Sequence, residues 1–519
     1  MTKWQLRGVG ALSGLLAAAA GVAIAEGVAV LVAAPSPIVS VGEDAIDRTP
    51  PAVKDFAIRN FGENDKTVLV IGVVLVLAAL AAIAGSIGPA RPRVALVITA
   101  AIGLVGVFTA AAGRSVATTQ TARVLPALAA LAVSVVALYV LLRVIRGTGD
   151  LSPTSREAAA PKGFDRRLFL ASAMGVAVVG LVGVAASKLG INKSAVASRD
   201  DFVVPAPASA ATARPAGVEV GVDGVAPFIT PNADFYRVDT AISPPQIDAS
   251  TWSLRIHGMV DQELNLSFAD IVNRPLVERD VTLTCVSNEV GGPYIGNARW
   301  IGASLADILA EAGVQSGADA LLSTAVDGFT IGTPIAAVTD GRDAMLAVAM
   351  NGEPLPFAHG FPVRMVVPGL YGYVSATKWV TDIEVTKFAD FSAYWTDRGW
   401  AAEGPIKTES RIDVPRPFAS VSGVVAVAGV AWAQNRGVTK VEVRFDGAGD
   451  WIAADLAEED TIDTWRQWVY RWDTSNVAKG AHQIEVRATD ADGYTQTGDR
   501  VPTVPDGATG WHTAAVTVS

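Results

Sequence analysis

The stretch TLTCVSNEVGG, Thr282 to Gly292, holds the single cysteine of a 519-residue chain. One thiol closes no internal disulfide, so Cys285 is either a small buried hydrophobe or a reactive or metal-binding group. It stands where an apolar strand pattern gives way to a Gly-Gly turn. No CxxC pair, H-x-E or HExxH string accompanies it, which removes the usual zinc frameworks. A Cys-His nucleophile stays open, because catalytic partners need not be neighbours in sequence. The chain has neither a GxSxG elbow nor a Walker loop, the main cues for common hydrolases and NTPases.

Downstream lies HGFPVRMVVPGLYGYVSATKW, His359 to Trp379. An imidazole, a guanidinium and an ammonium stand there among Gly and Ser turns, the ingredients for holding a phosphate through charge-assisted bonds and exposed amides. Arg364 can grip two oxygens at once, whereas Lys378 acts as a point charge. An ordinary strand with solvated charges is the competing reading.

Half of all residues are apolar and the mean hydropathy is +0.36. The apolar residues concentrate before about residue 190, in runs of roughly 20, the length that crosses about 30 Å of hydrocarbon. Five spans are predicted: Leu12 to Ala34, Val68 to Gly88, Val94 to Gly113, Val124 to Leu142 and Leu168 to Ala186. The first could instead be a signal peptide with Lys3 and Arg7 as its charged region. Glu26 inside it is either a functional acid or an interfacial one.

Lys3 and Arg7, then Arg91 and Arg93, then Arg143, Arg146, Arg156, Lys162, Arg166 and Arg167 mark three cytoplasmic segments by the positive-inside rule. Five spans from an inside start leave everything after about residue 187 on the extracytoplasmic side of the cell membrane, in contact with lipid only through the anchor. FDRRLFLASAMG, from Phe164, resembles a twin-arginine export signal, with Asp165 in place of the usual Ser or Thr. Up to residue 193 there are 18 Lys+Arg and 10 Asp+Glu, and beyond it 23 and 41. An exterior part of charge −18 argues against nucleic acid as a partner.

None of the four histidines, His257, His359, His482 and His512, lies among the spans. No bis-histidine haem is expected between those helices, and no Cys there substitutes as a ligand. Residues 194–227, with APASAATARPAG at their centre, read as an Ala/Pro-rich tether. Residues 228–414 mix alternating strands such as TWSLRIHGMV with helical patterns such as ASLADILAEAGV, the look of an α+β domain. Over 415–519, KVEVRFDG, HQIEVRATDADG and HTAAVTVS predict an immunoglobulin-like β-sandwich.

Taken together these strings resemble the sulfite oxidase family of molybdenum enzymes, over roughly residues 228 to 519. TLTCVSN with GGPYIGNARWIGASLADIL is similar to the segment whose Cys ligates molybdenum. HGFPVR with PGLYGYVSATKW is similar to the pterin-phosphate segment. AWAQNRGVTKVEVRFDG, WRQWVYRW and PDGATGWH are similar to the sandwich that follows, often called a dimerisation domain. The resemblance implies a molybdenum–molybdopterin cofactor, taken here in its mononucleotide form, with Cys285 as metal ligand and Asn288 orienting it. Arg364, Lys378 and His359 fall at cofactor-anchoring positions, Ser375, Ala376 and Thr377 would offer amides and hydroxyls, and Asn232, Tyr236, Arg237 and Asp327 fall elsewhere in the pocket.

The resemblance also implies oxygen-atom transfer on a small sulfur-containing or other oxo substrate, a separate electron carrier such as a cytochrome or quinone-linked protein, and homodimer formation as a further expectation. Animal and plant members carry two arginines after the Asn, where this chain has Glu289 and Val290, and an Arg-Asn-His where it has Arg237, Val238 and Asp239. Loss of those charges weighs against sulfite. The alternatives are reduction of an S-oxide, a cysteine-dependent hydrolase, and a metal-free membrane-tethered binding module.

Overall fold

The computed structural model describes residues 2–32, 34–50, 64–115, 119–146, 166–189 and 193–519, with positions 53, 56, 57, 60 and 61 between them. Phe164 and Asp165 of the arginine-pair string, with Arg156 and Lys162, lie outside the described residues. The chain divides into two compact units, Met1–Lys193 with Thr240–Pro244, and Ser194–Asp239 with Pro245–Ser519.

Among the described residues the first unit holds five helices long and apolar enough to cross a membrane: Lys3–Leu31, Asp65–Ile87, Pro92–Ala112, Gln120–Arg146 and Arg166–Leu189. The first begins nine residues before its apolar run, because Thr2 caps it by accepting from the Gln5 amide while the Gln5 side chain returns the bond. Its buried face is Gly10, Ser13, Gly14, Ala17, Ala20, Gly21 and Ala25. Small residues there let the helix backbones approach closely. A Cβ on Gly85 would lie 2.2 Å from the Gly10 carbonyl oxygen, and one on Gly183 would lie 2.1 Å from that of Ala23. A helix not expected from the sequence, Pro37–Arg48, is capped by Ser36 with proline in its first turn. The Glu26 side chain hydrogen-bonds this same Ser36.

In the second unit one sheet runs Leu276–Thr284, Ile295–Ser304, Met345–Met350 and Glu353–Pro354, with Arg364–Val366 also paired to Met345–Met350. Another runs Leu264–Ser267, Ser253–Gly258, Val380–Thr386, Ala320–Ala325 and Thr330–Pro334. The helical pattern in ASLADILAEAGV forms Leu305–Ala312. Ser304 caps its start and Gly313, at φ 71°, closes it, with Leu305, Ile308, Leu309 and Ala312 turned into the core.

The sandwich packs Glu409–Val414, Val424–Trp432, Arg466–Asp473 and Asp455–Leu456 against Ser420–Val421, His512–Val518, Gly480–Asp490, Val438–Phe445 and Ala448–Ala453. Alternate residues Ile484, Val486 and Ala488 meet Val441, Val443 and Trp468 in its core. Asp446 and Gly447, both at positive φ, turn the hairpin between Phe445 and Ala448.

The segment read as a tether is held along the domain by its backbone. The Ala208 amide donates to the Leu276 carbonyl, the Glu278 amide donates to the Ser209 carbonyl, and Arg214 binds Asp280 at 2.8 Å. Composition hides this because two of these bonds are main-chain bonds to an edge strand, which any sequence can make, and the third pairs side chains 66 residues apart.

Candidate active site

Cys285 follows the last residue of the strand Leu276–Thr284, and its amide donates to the Tyr294 carbonyl. The Asn288 amide returns to the Cys285 carbonyl, which closes a tight turn, and Asn288 Oδ1 accepts from the Tyr294 amide at 2.8 Å. These bonds fix the thiol and the amide side chain on one short loop. Cys285 is 9% exposed, with its Sγ 2.9 Å from the Ser287 hydroxyl. Burial pushes the thiol up, opposed by the Ser287 hydroxyl and amide and by the charge of Lys378.

The sandwich holds this loop from behind. Gln434 Nε2 donates to the Thr282 carbonyl at 3.0 Å and to the Thr284 hydroxyl at 3.2 Å, and the Trp465 amide donates to the Thr282 hydroxyl. Arg411 donates to the Gly292 carbonyl. His512 fills the space a side chain on Gly291 would need, and its Nδ1 accepts from the Ile412 amide. Burial, with Arg411 adding, pulls this imidazole down to about 4, so it stays a neutral acceptor.

Arg364 opens the short strand paired to Ala347, which sets its side chain in the core over the Trp300 ring, 4.9 Å from the centroid. Its Nη1 donates to the His359 carbonyl, and among the described residues no acid pairs with it. Burial pulls the guanidinium down to about 10. His359 Nε2 sits 3.2 Å from the Asn232 carbonyl, and burial together with Arg364 and Lys378 pulls its ring down to about 4. A neutral ring facing a carbonyl donates, so the proton lies on Nε2. Lys378 Nζ donates to Asp239 at 2.6 Å and to the Ala358 carbonyl at 3.2 Å. The next residue, Trp379, takes φ 52°, a strained value for a bulky side chain, with its indole bonded to the Phe357 carbonyl.

Tyr236 is half-buried and stacked on Phe235, and burial drives its hydroxyl well above the ordinary range, with Cys285 adding and Arg364 opposing. A Cβ on Gly372 would lie 3.9 Å from the Thr284 carbonyl oxygen and 4.0 Å from the Tyr236 hydroxyl, in ordinary contact with both. Arg237 binds Asp239 through both Nε and Nη2, at 2.9 and 3.3 Å.

Other expected site residues have different occupations. The Asn232 side chain bonds Met350 and Asn351, and only its carbonyl reaches His359. Asp327 accepts from the Phe329 amide in the turn between two strands. The Ser375 hydroxyl donates to the Leu370 and Tyr371 carbonyls and that of Thr377 pairs with Ser323, while the Ala376 amide donates to the Gly372 carbonyl. Those hydroxyls were expected to be on offer, and they point inward because a buried hydroxyl needs a partner. Sequence reasoning passed over Ser287, Gln434 and Arg411. Ser287 stands inside the opening string and Gln434 inside AWAQNRG, but only the fold brings them to the thiol.

The unmet groups describe what this site lacks. Asn288 Nδ2 is buried with no acceptor, and Arg364 is a buried cation with no acid. Among the described residues no three His, Cys, Asp or Glu converge on a metal position. An anionic molecule with hydrogen-bond acceptors would satisfy Arg364 and Asn288. This fold and site define a molybdopterin-binding oxidoreductase domain, and the family described as oxidoreductase molybdopterin binding domain matches residues 241–395. A bacterial Ig domain matches residues 409–486.

The chain is 32% identical over 325 residues to mitochondrial sulfite oxidase of Homo sapiens, covering 53% of this chain and 58% of that protein. It thus spans little over half the length of that relative. It is 34% identical over 170 residues to the uncharacterized oxidoreductase YuiH of Bacillus subtilis, covering 33% of this chain and 82% of that protein. Among solved structures, the sulfane dehydrogenase SoxCD from Paracoccus pantotrophus shares 23% identity at a TM-score of 0.48, over 56% of this chain and 81% of that one. The chain belongs to the sulfite oxidase family of molybdopterin-dependent oxidoreductases.

Proposed function

We propose that this chain is a membrane-anchored oxidoreductase that moves an oxygen atom onto or off a small sulfur-containing or other oxo substrate, with its catalytic domain on the extracytoplasmic face of the cell membrane. The observations that carry the reading are a buried thiol and an unsatisfied amide on one loop, Cys285 and Asn288, and a buried guanidinium paired with no acid among the described residues, Arg364. When bound, the molybdenum cofactor, in its mononucleotide form, supplies two-electron oxygen-atom transfer with water as source or sink of the oxygen. Cys285 would ligate the metal, and Arg364, His359 and the neighbouring amides would hold the organic part, with Lys378 held beside them by Asp239.

The chain's own residues then have defined tasks. The Ser287 hydroxyl and the Lys378 charge favour the thiolate against the burial that opposes it. Asn288 offers Nδ2 as a donor beside the sulfur. Tyr236 keeps its proton at neutral pH and is a donor as well, while His359 stays neutral and holds the Asn232 backbone. Asp327 shapes the turn before Phe329, and Arg237 is held by Asp239.

Anchoring is supported by the five apolar helices. Cofactor insertion in the cytoplasm gives Arg166 and Arg167 a role as an export signal for a folded domain. Electrons pass to or from a separate carrier, and no haem is expected in this chain. Homodimer formation through the sandwich belongs to the same reading. Reduction of an S-oxide is the second reading, favoured by Glu289 and Val290 standing where a cation-lined pocket would need arginines.

The test is elemental analysis and pterin fluorescence on the purified full chain produced with molybdate. One molybdenum per chain is expected in the wild type and loss of metal in Cys285→Ser, with the fold retained by circular dichroism. A well-folded wild type without molybdenum would overturn the reading.

A further inference from the structure

Resting on that reading of the pocket, we propose that Asp239 sets the charge of the substrate: by binding Arg237 and Lys378 together it withdraws both cations and fits the site to a substrate uncharged at its reacting atom, in place of an oxyanion.

The geometry places one carboxylate between two bases. Asp239 Oδ2 accepts from Arg237 Nε at 2.9 Å and from Lys378 Nζ at 2.6 Å, and Oδ1 accepts from Arg237 Nη2 at 3.3 Å. The Asp239 side chain is 6% exposed, against 11% for Lys378 and 29% for Arg237. Short charge-assisted bonds among buried partners are the strong ones, and an arriving oxyanion would have to displace a carboxylate that has no water to retreat into. One carboxylate thereby occupies two of the site's three cations from within the chain and cancels one of their two charges. The third, Arg364, lies deeper, over Trp300 and against the His359 carbonyl, where the cofactor would use it. The loop after the thiol adds Glu289 and no base. An uncharged group meets no such competition and loses nothing by the absence of a free cation.

Asp239→Asn keeps size and shape but removes the charge that answers both bases, so an oxyanion gains at least one charge-assisted partner, worth about tenfold or more in affinity. The experiment uses the full chain in detergent, produced with molybdate, with sodium sulfate as probe against sodium chloride at equal ionic strength. Sulfate binding is read by calorimetry and by the sulfate-specific shift in Tm. Asp239→Asn and the smaller Asp239→Ser should each bind sulfate at least about tenfold tighter than wild type, while Asp239→Glu, which keeps the charge, should stay near wild type. The second neutral variant carries the test should the first fail to fold. Sulfate binding to wild type as tight as to both neutral variants, or an equal gain in Asp239→Glu, overturns the proposal. Molybdenum content is measured on the same preparations: its absence from wild type counts against the oxidoreductase reading, whereas the ratio of sulfate affinities still decides the part played by Asp239.

Discussion

Replacing Arg364 by Met should move two properties in opposite directions. In the cofactor-free chain this guanidinium is a buried charge without an acid, and burial lowers it from 12.5 to about 10. A depressed base is disfavoured in its charged form, so the folded state bears this cost at every pH below about 10. At 1.36 kcal/mol per decade the difference amounts to about 3 kcal/mol. Met keeps most of the volume over Trp300 but gives up a cation–π contact worth about 1–2 kcal/mol. Met also gives up the bond to the His359 carbonyl, worth about 1 kcal/mol, so the cofactor-free variant should be more stable than wild type by about 1 kcal/mol at most.

With cofactor present the sign reverses, because two charge-assisted bonds to an anion, at about 1.5–3 kcal/mol each, are lost. That corresponds to a hundredfold or greater loss in cofactor affinity, taking about 1.4 kcal/mol per decade. Thermal unfolding of protein made without molybdate reads the first effect, and molybdenum content of protein made with it reads the second. A lower Tm without cofactor together with unchanged molybdenum in the loaded protein would refute the reasoning, since Arg364 would then be a packing residue and nothing more.

Glu409 offers a pH test. Burial raises its carboxyl from 4.5 to about 8, with Lys407 opposing, and its Oε1 has no partner. Between those two values the folded state keeps a proton that the unfolded state releases, so stability falls as pH rises through the window, by up to about 4–5 kcal/mol in total. Glu409→Gln should match wild type near pH 4.5 and exceed it above about pH 8, as read by thermal unfolding across that range; parallel curves would count against it. In the helix Asp65–Ile87, Gly85→Ala should destabilise by about 1–3 kcal/mol because its Cβ would strike the Gly10 backbone. Gly72→Ala in the same helix, with nothing within 4 Å, should be neutral. Denaturation in detergent compares the two, and equal behaviour would show that the small-residue contact does not matter.

How far the sequence could be read depended on the range of the forces involved. Helices long and apolar enough to cross a membrane announce themselves by apolar length, and the first differs from its expected span at both ends, most at its start, where Thr2 and Gln5 form a local cap that hydropathy does not register. Sandwich strands showed in the alternation of HQIEVRATDADG, because one face of each is buried. Cys285, Asn288 and Arg364 came from ordered strings that resemble a family. The double hold of Asp239 on Arg237 and Lys378 was out of reach, because it joins positions 139 residues apart. Likewise Ser375 and Thr377 look available in a list of residue types, but a buried hydroxyl is committed by whichever carbonyl or hydroxyl the fold sets beside it.

The sandwich shows the same limit from the other side. A resemblance to a dimerisation domain suggests a module whose work lies at another chain's surface. In this chain its side chains reach back to the thiol: Gln434 grips the backbone and side chain of Thr282 and Thr284 just before Cys285, while Arg411 and His512 close on Gly291 and Gly292 just after it. A thiol that ligates a metal, the role proposed for Cys285, must be held to within a few tenths of an ångström, and a lone cysteine between a strand end and a glycine pair has little stiffness of its own. The loop therefore takes its rigidity from bonds on both flanks, and those bonds come from residues more than a hundred positions away. Whatever part the sandwich plays in pairing chains, it belongs to the scaffold of Cys285.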